Sequence, residues 1–150
     1  MNNQRNGNIY WINGQNRADR YHLAQKLRDF LKTERRNWRR DVFYIDNDTF
    51  EESSIEKALI VADYISDAGV DVVIALNIEL KPVKDMVKLT LGDRFIDVLI
   101  HNSKKLKSNV TYDETYDLKE SYSISIDTTL DTPTQAFNKL ICELRNLNFL

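Results

Sequence analysis

The residues best placed to do chemistry gather where a short apolar run meets a glycine. Ile9, Trp11 and Ile12 read as a strand over Ile9 to Asn13, and Gly14 breaks it. Leu23, Ala24, Leu27, Phe30 and Leu31 then recur at helical spacing. A strand entering a helix through a glycine turn aims backbone N–H groups and the positive helix end at one point, where α/β proteins hold phosphates. Gly14, Asn16, Arg17 and Arg20 are therefore candidate nucleotide-binding residues, the two arginines supplying positive charge. A phosphate-cradling loop of the form G-x-x-x-x-G-K-[ST] needs its second glycine for close backbone approach, its lysine for phosphate charge and its small hydroxyl for Mg²⁺. Counted from Gly14, those positions hold Asp19, Arg20 and Tyr21. An aspartate there projects negative charge at the phosphates, and a phenol is too large to replace a small hydroxyl on a metal. The competing reading makes Asn16 an N-cap, with Asp19 three residues on returning the capping interaction. A carboxylate so placed favours the helix by roughly 0.3–1 kcal/mol and competes with an incoming anion. The residues alone leave both readings open: a helix closed by its own cap, or an altered nucleotide site using Arg17 and Arg20.

A second set of candidates closes the next strand. Val42, Phe43, Tyr44 and Ile45 form a continuous apolar run that ends in Asp46, Asn47 and Asp48. Carboxylates at the carboxyl end of a strand stand where open α/β sheets place ligands, and a close pair can hold Mg²⁺ through water. Asp46 and Asp48 are thus candidate catalytic residues; the alternative is that Asp48 shapes the turn before the next helix. The one basic run, Arg35, Arg36, Trp38, Arg39 and Arg40, offers phosphate contacts and a stacking surface for nucleic acid. A formal net charge of -2 gives no electrostatic footprint to support that use. A solvated connection is the better account, and nucleic acid is not the expected partner. His22, His101 and Cys142 have no metal-ligand spacing, and no nucleophilic triad suggests itself, so neither a metal centre nor a hydrolase is expected.

These residues need a scaffold, and 150 residues that are 42% hydrophobic and 29% charged suit one folded domain. The single cysteine cannot close an internal disulfide and fits a reducing compartment. With a polar beginning and no apolar run of membrane length, a cytoplasmic location is expected. Ile55 to Ala68 reads as a helix stopped by Gly69, and Val70 to Leu76 as the most apolar and central strand. A helix from about Val83 to Leu91, ended by Gly92, and a strand from Phe95 to Ile100 follow. The stretch from Asn102 to Glu120 lacks a sustained period. Tyr122, Ile124 and Ile126 alternate with serines as an edge strand does. A last helix carries Phe137, Leu140, Ile141 and Leu144, with Pro133 near its start. This alternation predicts an α/β three-layer sandwich around a mostly parallel five-stranded sheet.

The order of features resembles the adenylylsulfate (APS) kinase family, P-loop kinases that phosphorylate adenosine 5′-phosphosulfate with ATP. The carriers are Ile9-Tyr10-Trp11-Ile12-Asn13-Gly14 with Leu23-Ala24, and Ile45-Asp46-Asn47-Asp48, similar to the family's L-D-G-D. Ala62 to Val70 is similar to A-x-L-F-x-D-A-G, and Phe95-Ile96-Asp97-Val98 and Ile126-Asp127-Thr128 complete the set. The resemblance implies a P-loop kinase fold with the first strand internal, flanked by those beginning near Val70 and Phe95. It also implies ATP and Mg²⁺ as cofactors. Against the family pattern, the arginine after L-D-G-D is Glu51, and the N-x-R-R stretch corresponds in place to Ser54-Ile55-Glu56-Lys57. The S-P-Y-R turn becomes Glu79-Leu80-Lys81-Pro82, which leaves Lys81 and Lys84 to meet a substrate anion. The lid is reduced to Lys104 to Tyr116. The expectation is an inactive binding or structural protein with a protein partner and weak or no binding of ATP and Mg²⁺. The alternatives are a working nucleotide or nucleoside kinase with an unorthodox loop and, lower, a nucleic-acid-associated protein.

Overall fold

In the computed structural model of the chain, residues 6–34, 41–50, 54–102 and 122–150 are described. The Arg35 to Arg40 run, Glu51 and the Lys104 to Tyr116 stretch lie outside them. Five strands form one sheet: β1 (Ile9–Asn13), β2 (Val42–Asp46), β3 (Asp71–Ala75), β4 (Phe95–His101) and β5 (Ile124–Asp127). Their spatial order is β2-β3-β1-β4-β5, and every adjacent pair is parallel. The first strand is internal between β3 and β4, as the resemblance implied. Three α-helices connect strands, α1 (Arg17–Glu34), α2 (Ile55–Asp67) and α3 (Lys81–Leu91), and a fourth among the described residues, α4 (Pro133–Asn146), follows β5.

Parallel strands joined by helices are covered on both faces, which is why β1, β3 and most of β4 read as unbroken apolar runs. Tyr10 and Ile12 of β1 face a core built with Leu23, Leu27 and Leu31 of α1 and Leu140 and Leu144 of α4. Ile9 and Trp11 face the other core, with Ala58, Leu59 and Ala62 of α2 and Val87 and Leu91 of α3. Trp11 meets Phe95 edge to face, ring centroids 6.0 Å apart, and its indole N–H donates to the Leu76 carbonyl at 2.7 Å. At the sheet edge, Ile124 and Ile126 are buried and Ser125 and Asp127 exposed, the expected alternation.

Helix ends follow their local chemistry. Gly69, at φ 90°, lets Val70 N donate to Ile65 O and Gly69 N to Ser66 O, a Schellman closure of α2. Asn148, at φ 62°, closes α4 the same way through Phe149 N to Leu144 O. Thr132 and Gln135 form a reciprocal capping box at the start of α4, with Pro133 in its first turn. α3 begins at Lys81, two residues before the apolar periodicity starts, because Pro82 is pre-set for a first helical turn. Sequence periodicity, which starts at Val83, cannot register that turn. β3 begins at Asp71 and β5 at Ile124, each one or two residues inside its apolar run.

Candidate functional site

The β1–α1 connection is three residues long, Gly14 to Asn16, and α1 begins at Arg17. Residues 17–20, which a phosphate cradle would wrap around an anion, form the first helical turn instead. Asn16 is the N-cap: its side-chain oxygen accepts from Asp19 N at 2.9 Å, and its carbonyl accepts from Arg20 N at 3.0 Å. Asp19 is exposed, and among the described residues its carboxylate makes no return bond to the cap. Gly14 is required for a steric reason: a Cβ there would lie 2.7 Å from both the carbonyl oxygen and Cγ2 of Ile100. Its N–H donates to the Asn77 side-chain oxygen at 3.1 Å.

Arg20, in the position of the phosphate-loop lysine, is only 1% exposed. Its guanidinium donates to the Gly14 carbonyl at 2.5 Å and to the Asn47 side-chain oxygen at 2.9 Å. It therefore ties the end of β1 to the end of β2. Tyr21, in the position of the Mg²⁺ hydroxyl, accepts from Asn47 N at 3.0 Å. Burial and the nearby Asp46 carboxylate push its phenol above the ordinary range. ATP and Mg²⁺ do not fit this arrangement as they fit a phosphate cradle: lysine and small hydroxyl are replaced by two side chains bonded inside the protein.

Asp46 and Asp48 stand together after β2, with unequal roles. The Asp46 carboxylate, 6% exposed, accepts from Asp48 N at 2.8 Å, and its carbonyl accepts from Thr49 N and Phe50 N at 3.0 Å each. The turn is thus made by the Asp46 side chain, while the Asp48 side chain is exposed. Lys81 is half-exposed and pairs with Asp85 one turn on at 3.0 Å.

Lys84 lies elsewhere in character. It is 1% exposed and ion-paired with Asp97 of β4, itself 1% exposed, and its ammonium sits 3.0 Å from the ring centroid of Tyr122. An anion would reach Lys84 only by displacing these partners. Asn13, fully buried, donates to Asp97 at 2.7 Å and accepts from Ile78 N at 3.0 Å. Burial pushes the Asp97 carboxyl up to about 6 against the pull of Lys84, and burial draws the Lys84 ammonium down to about 8. Asn13 and Asp97 were legible as polar residues inside apolar strands, a pattern that calls for a buried partner.

A cavity of about 390 Å³ opens beside the first turns of α1, between the end of β4 and the β5–α4 connection. Asp19, His22, Ile100, Thr128, Asp131 and Pro133 are among its lining residues. Its size falls within the range of small-ligand pockets, and it lies at the carboxyl end of the sheet. Of the sequence candidates, none but the helix turn that bears Arg17 and Arg20 adjoins it. Its other walls come from chain segments about 80 and 110 residues further on, which no local pattern could join.

No protein-family model matches the sequence, and no curated protein does. Solved structures do match. The crystal structure of APE1195 aligns with a TM-score of 0.74 at 16% identity, over 95% of this chain and 96% of that one. The hexameric APS kinase from Thiobacillus denitrificans aligns with a TM-score of 0.75 at 17% identity, over 98% of this chain and 30% of that longer one. The Mycobacterium tuberculosis APS kinase CysC in complex with AMPPNP and APS gives 0.65 at 14% identity, over 93% and 98%. A gluconokinase from Sinorhizobium meliloti 1021 gives 0.62 at 10%, over 96% and 94%. The fold is that of the P-loop kinases. Among the described residues no helix is long and apolar enough to cross a membrane.

Proposed function

We propose that this chain keeps the P-loop kinase fold without phosphoryl transfer and works by binding, with the cavity beside α1 as its ligand site. The observation that carries the reading is the fate of Arg20: its guanidinium is spent on the Gly14 carbonyl and on Asn47. Phosphoryl transfer depends almost wholly on positioned charge around the transferring group. Here the loop cation is internal, the hydroxyl is a phenol bonded to backbone, and a carboxylate stands where the second glycine would be. A solved structure of similar fold carries AMPPNP and APS, which supports a nucleotide-related ligand for this chain as well. Asp46 serves its own turn, and the exposed Asp48 is a carboxylate without a phosphate to act on.

The test is a radiolabelled ATP assay with Mg²⁺ and APS, together with thermal melts in the presence of Mg·ATP. No transfer above background and no stabilisation by Mg·ATP are expected. Specific binding at a hundredfold excess over Kd would stabilise the protein by about 2.7 kcal/mol. Turnover near 1 s⁻¹, roughly the low end for kinases, would establish the opposite reading, a kinase with an unorthodox loop.

A further inference from the structure

We infer that a second cavity, between the last turns of α1 and the length of α4, is a binding site for a small aromatic carboxylate, independent of the cavity beside the first turns of α1. Its volume is about 440 Å³, within the range of small-ligand pockets. Two neighbouring rows of α4 at i, i+4 spacing build one wall. The inner row is Phe137, Ile141 and Arg145, so an apolar strip ends in a cation. The outer row is Asn138, Cys142 and Asn146, exposed side chains short enough to leave the strip open. Phe30 of α1 supplies the facing wall.

Phe30 and Phe137 meet edge to face, ring centroids 5.8 Å apart at 68°. Such a corner shows an incoming ring both a face and an edge, and aromatic rings favour offset-stacked and edge-to-face contacts alike. Both phenylalanines pack against the core beneath, so the corner stands formed before any ligand arrives. The Arg145 guanidinium lies 5.9 Å from the Phe30 centroid, so the cation borders the same corner. Contact with a ring face leaves its N–H donors available, and a planar guanidinium clasps a carboxylate through two parallel hydrogen bonds. Lys26, 5.9 Å from the Phe137 centroid, adds a second positive charge beside the rings. The nearby carboxylates do not reverse this balance: Asp29 is paired with Arg28 at 3.0 Å, and Glu143 falls on neither row of α4. A ring alone would use only the corner, and a bare anion only the cation; an aromatic carboxylate uses both. Along α1, Lys26 falls between His22 of the first cavity and Phe30 of this one, and its hydrogen bond to Thr134 Oγ1 at 3.4 Å closes the seam there.

The experiment titrates the full chain with 2-naphthoate, its neutral analogue 2-naphthalenemethanol, and octanoate, followed by amide NMR shifts. Cys142 is the single cysteine of the chain, exposed and on the cavity wall, so its rate of reaction with N-ethylmaleimide reports whether the bound ligand sits there. 2-Naphthoate is expected to bind, to slow the Cys142 reaction with the same midpoint, and to bind about tenfold tighter than the alcohol, the factor for one charge-assisted contact at an open site. Octanoate, with the charge but no ring, should bind more weakly than 2-naphthoate. Arg145→Gln should erase the preference for acid over alcohol with the urea melt unchanged. Asn138→Trp, at an exposed position lining the cavity, should abolish binding of both. Ala18→Trp, which fills the first cavity, should leave binding as it is. No shift at millimolar 2-naphthoate, shifts without protection of Cys142, equal binding of acid and alcohol, tighter binding of octanoate, or indifference to either α4 variant would each overturn the inference. Loss of binding in Ala18→Trp would overturn it as well, by placing the ligand in the first cavity.

Discussion

Replacing Asp97 by Asn removes one charge from a fully buried pair and changes little else. The amide oxygen can still accept from Asn13, so the loss falls on Lys84, left with an ammonium in a site only 1% exposed. Breaking a buried pair by removing one partner costs about 3–5 kcal/mol. Lys84 can escape by giving up its proton, and discharging an ordinary lysine of pKa near 10.4 at pH 7 takes about 4.6 kcal/mol. That escape sets a ceiling in the same range. At pH 9.4 the ceiling falls to about 1.4 kcal/mol. Lys84→Met is the mirror case: Asp97 escapes by taking a proton, at about 4.2 kcal/mol at pH 7 and about 1.5 kcal/mol at pH 5. Urea melts should therefore show Asp97→Asn recovering toward wild type as pH rises and Lys84→Met recovering as it falls. The double variant should lie within about 1–2 kcal/mol of wild type, since replacing both members of a buried pair is often neutral or stabilising. A loss of about 3–5 kcal/mol lowers the Tm by roughly 6–20 °C in a domain of this size. Single variants within 1 kcal/mol of wild type at pH 7, or a double variant no better than the worse single, would refute the reasoning.

In the unaltered protein the Asp97 carboxyl, raised to about 6 in the fold, binds more protons folded than unfolded between pH 4 and 6, so stability falls as pH rises through that window. The Lys84 ammonium, lowered to about 8, binds fewer, so stability rises again from pH 8 toward 10, and urea midpoints across pH should show the shallow minimum between. Gly14→Ala should cost about 1–3 kcal/mol in the same melts, because its Cβ meets an Ile100 carbonyl that belongs to a central strand and cannot give way. Asn16→Ala should cost about 0.5–2 kcal/mol through loss of the α1 cap. Restoring the phosphate-loop residues with Asp19→Gly, Arg20→Lys and Tyr21→Ser together should not produce ATP turnover and should lower stability, since Arg20 and Tyr21 hold Asn47 in place.

Much of this protein was decided along the chain itself. Four apolar runs separated by helical periodicities, punctuated by Gly69 and Gly92 and followed by one alternating edge strand, dictate a parallel sheet under two layers of helix, because only strands buried on both faces can be apolar at nearly every position. The closure at Gly69 was legible and the N-cap at Asn16 stood as one of two readings, since capping is a contact between residues a turn apart. Replacement of the phosphate-loop residues could be read one by one, but what replaced their function could not. Arg20 and Lys84 look alike as basic residues near strand ends. Which partner each meets depends on residues 27 and 13 positions away brought together by the sheet order β2-β3-β1-β4-β5. The side chain of a buried cation is directed by whichever acceptor lies within reach, because an unpaired charge in the interior costs several kcal/mol, on the order of the whole fold's margin. The cavity beside α1 has the same origin: its walls come from three distant segments, and their meeting is a property of packing alone.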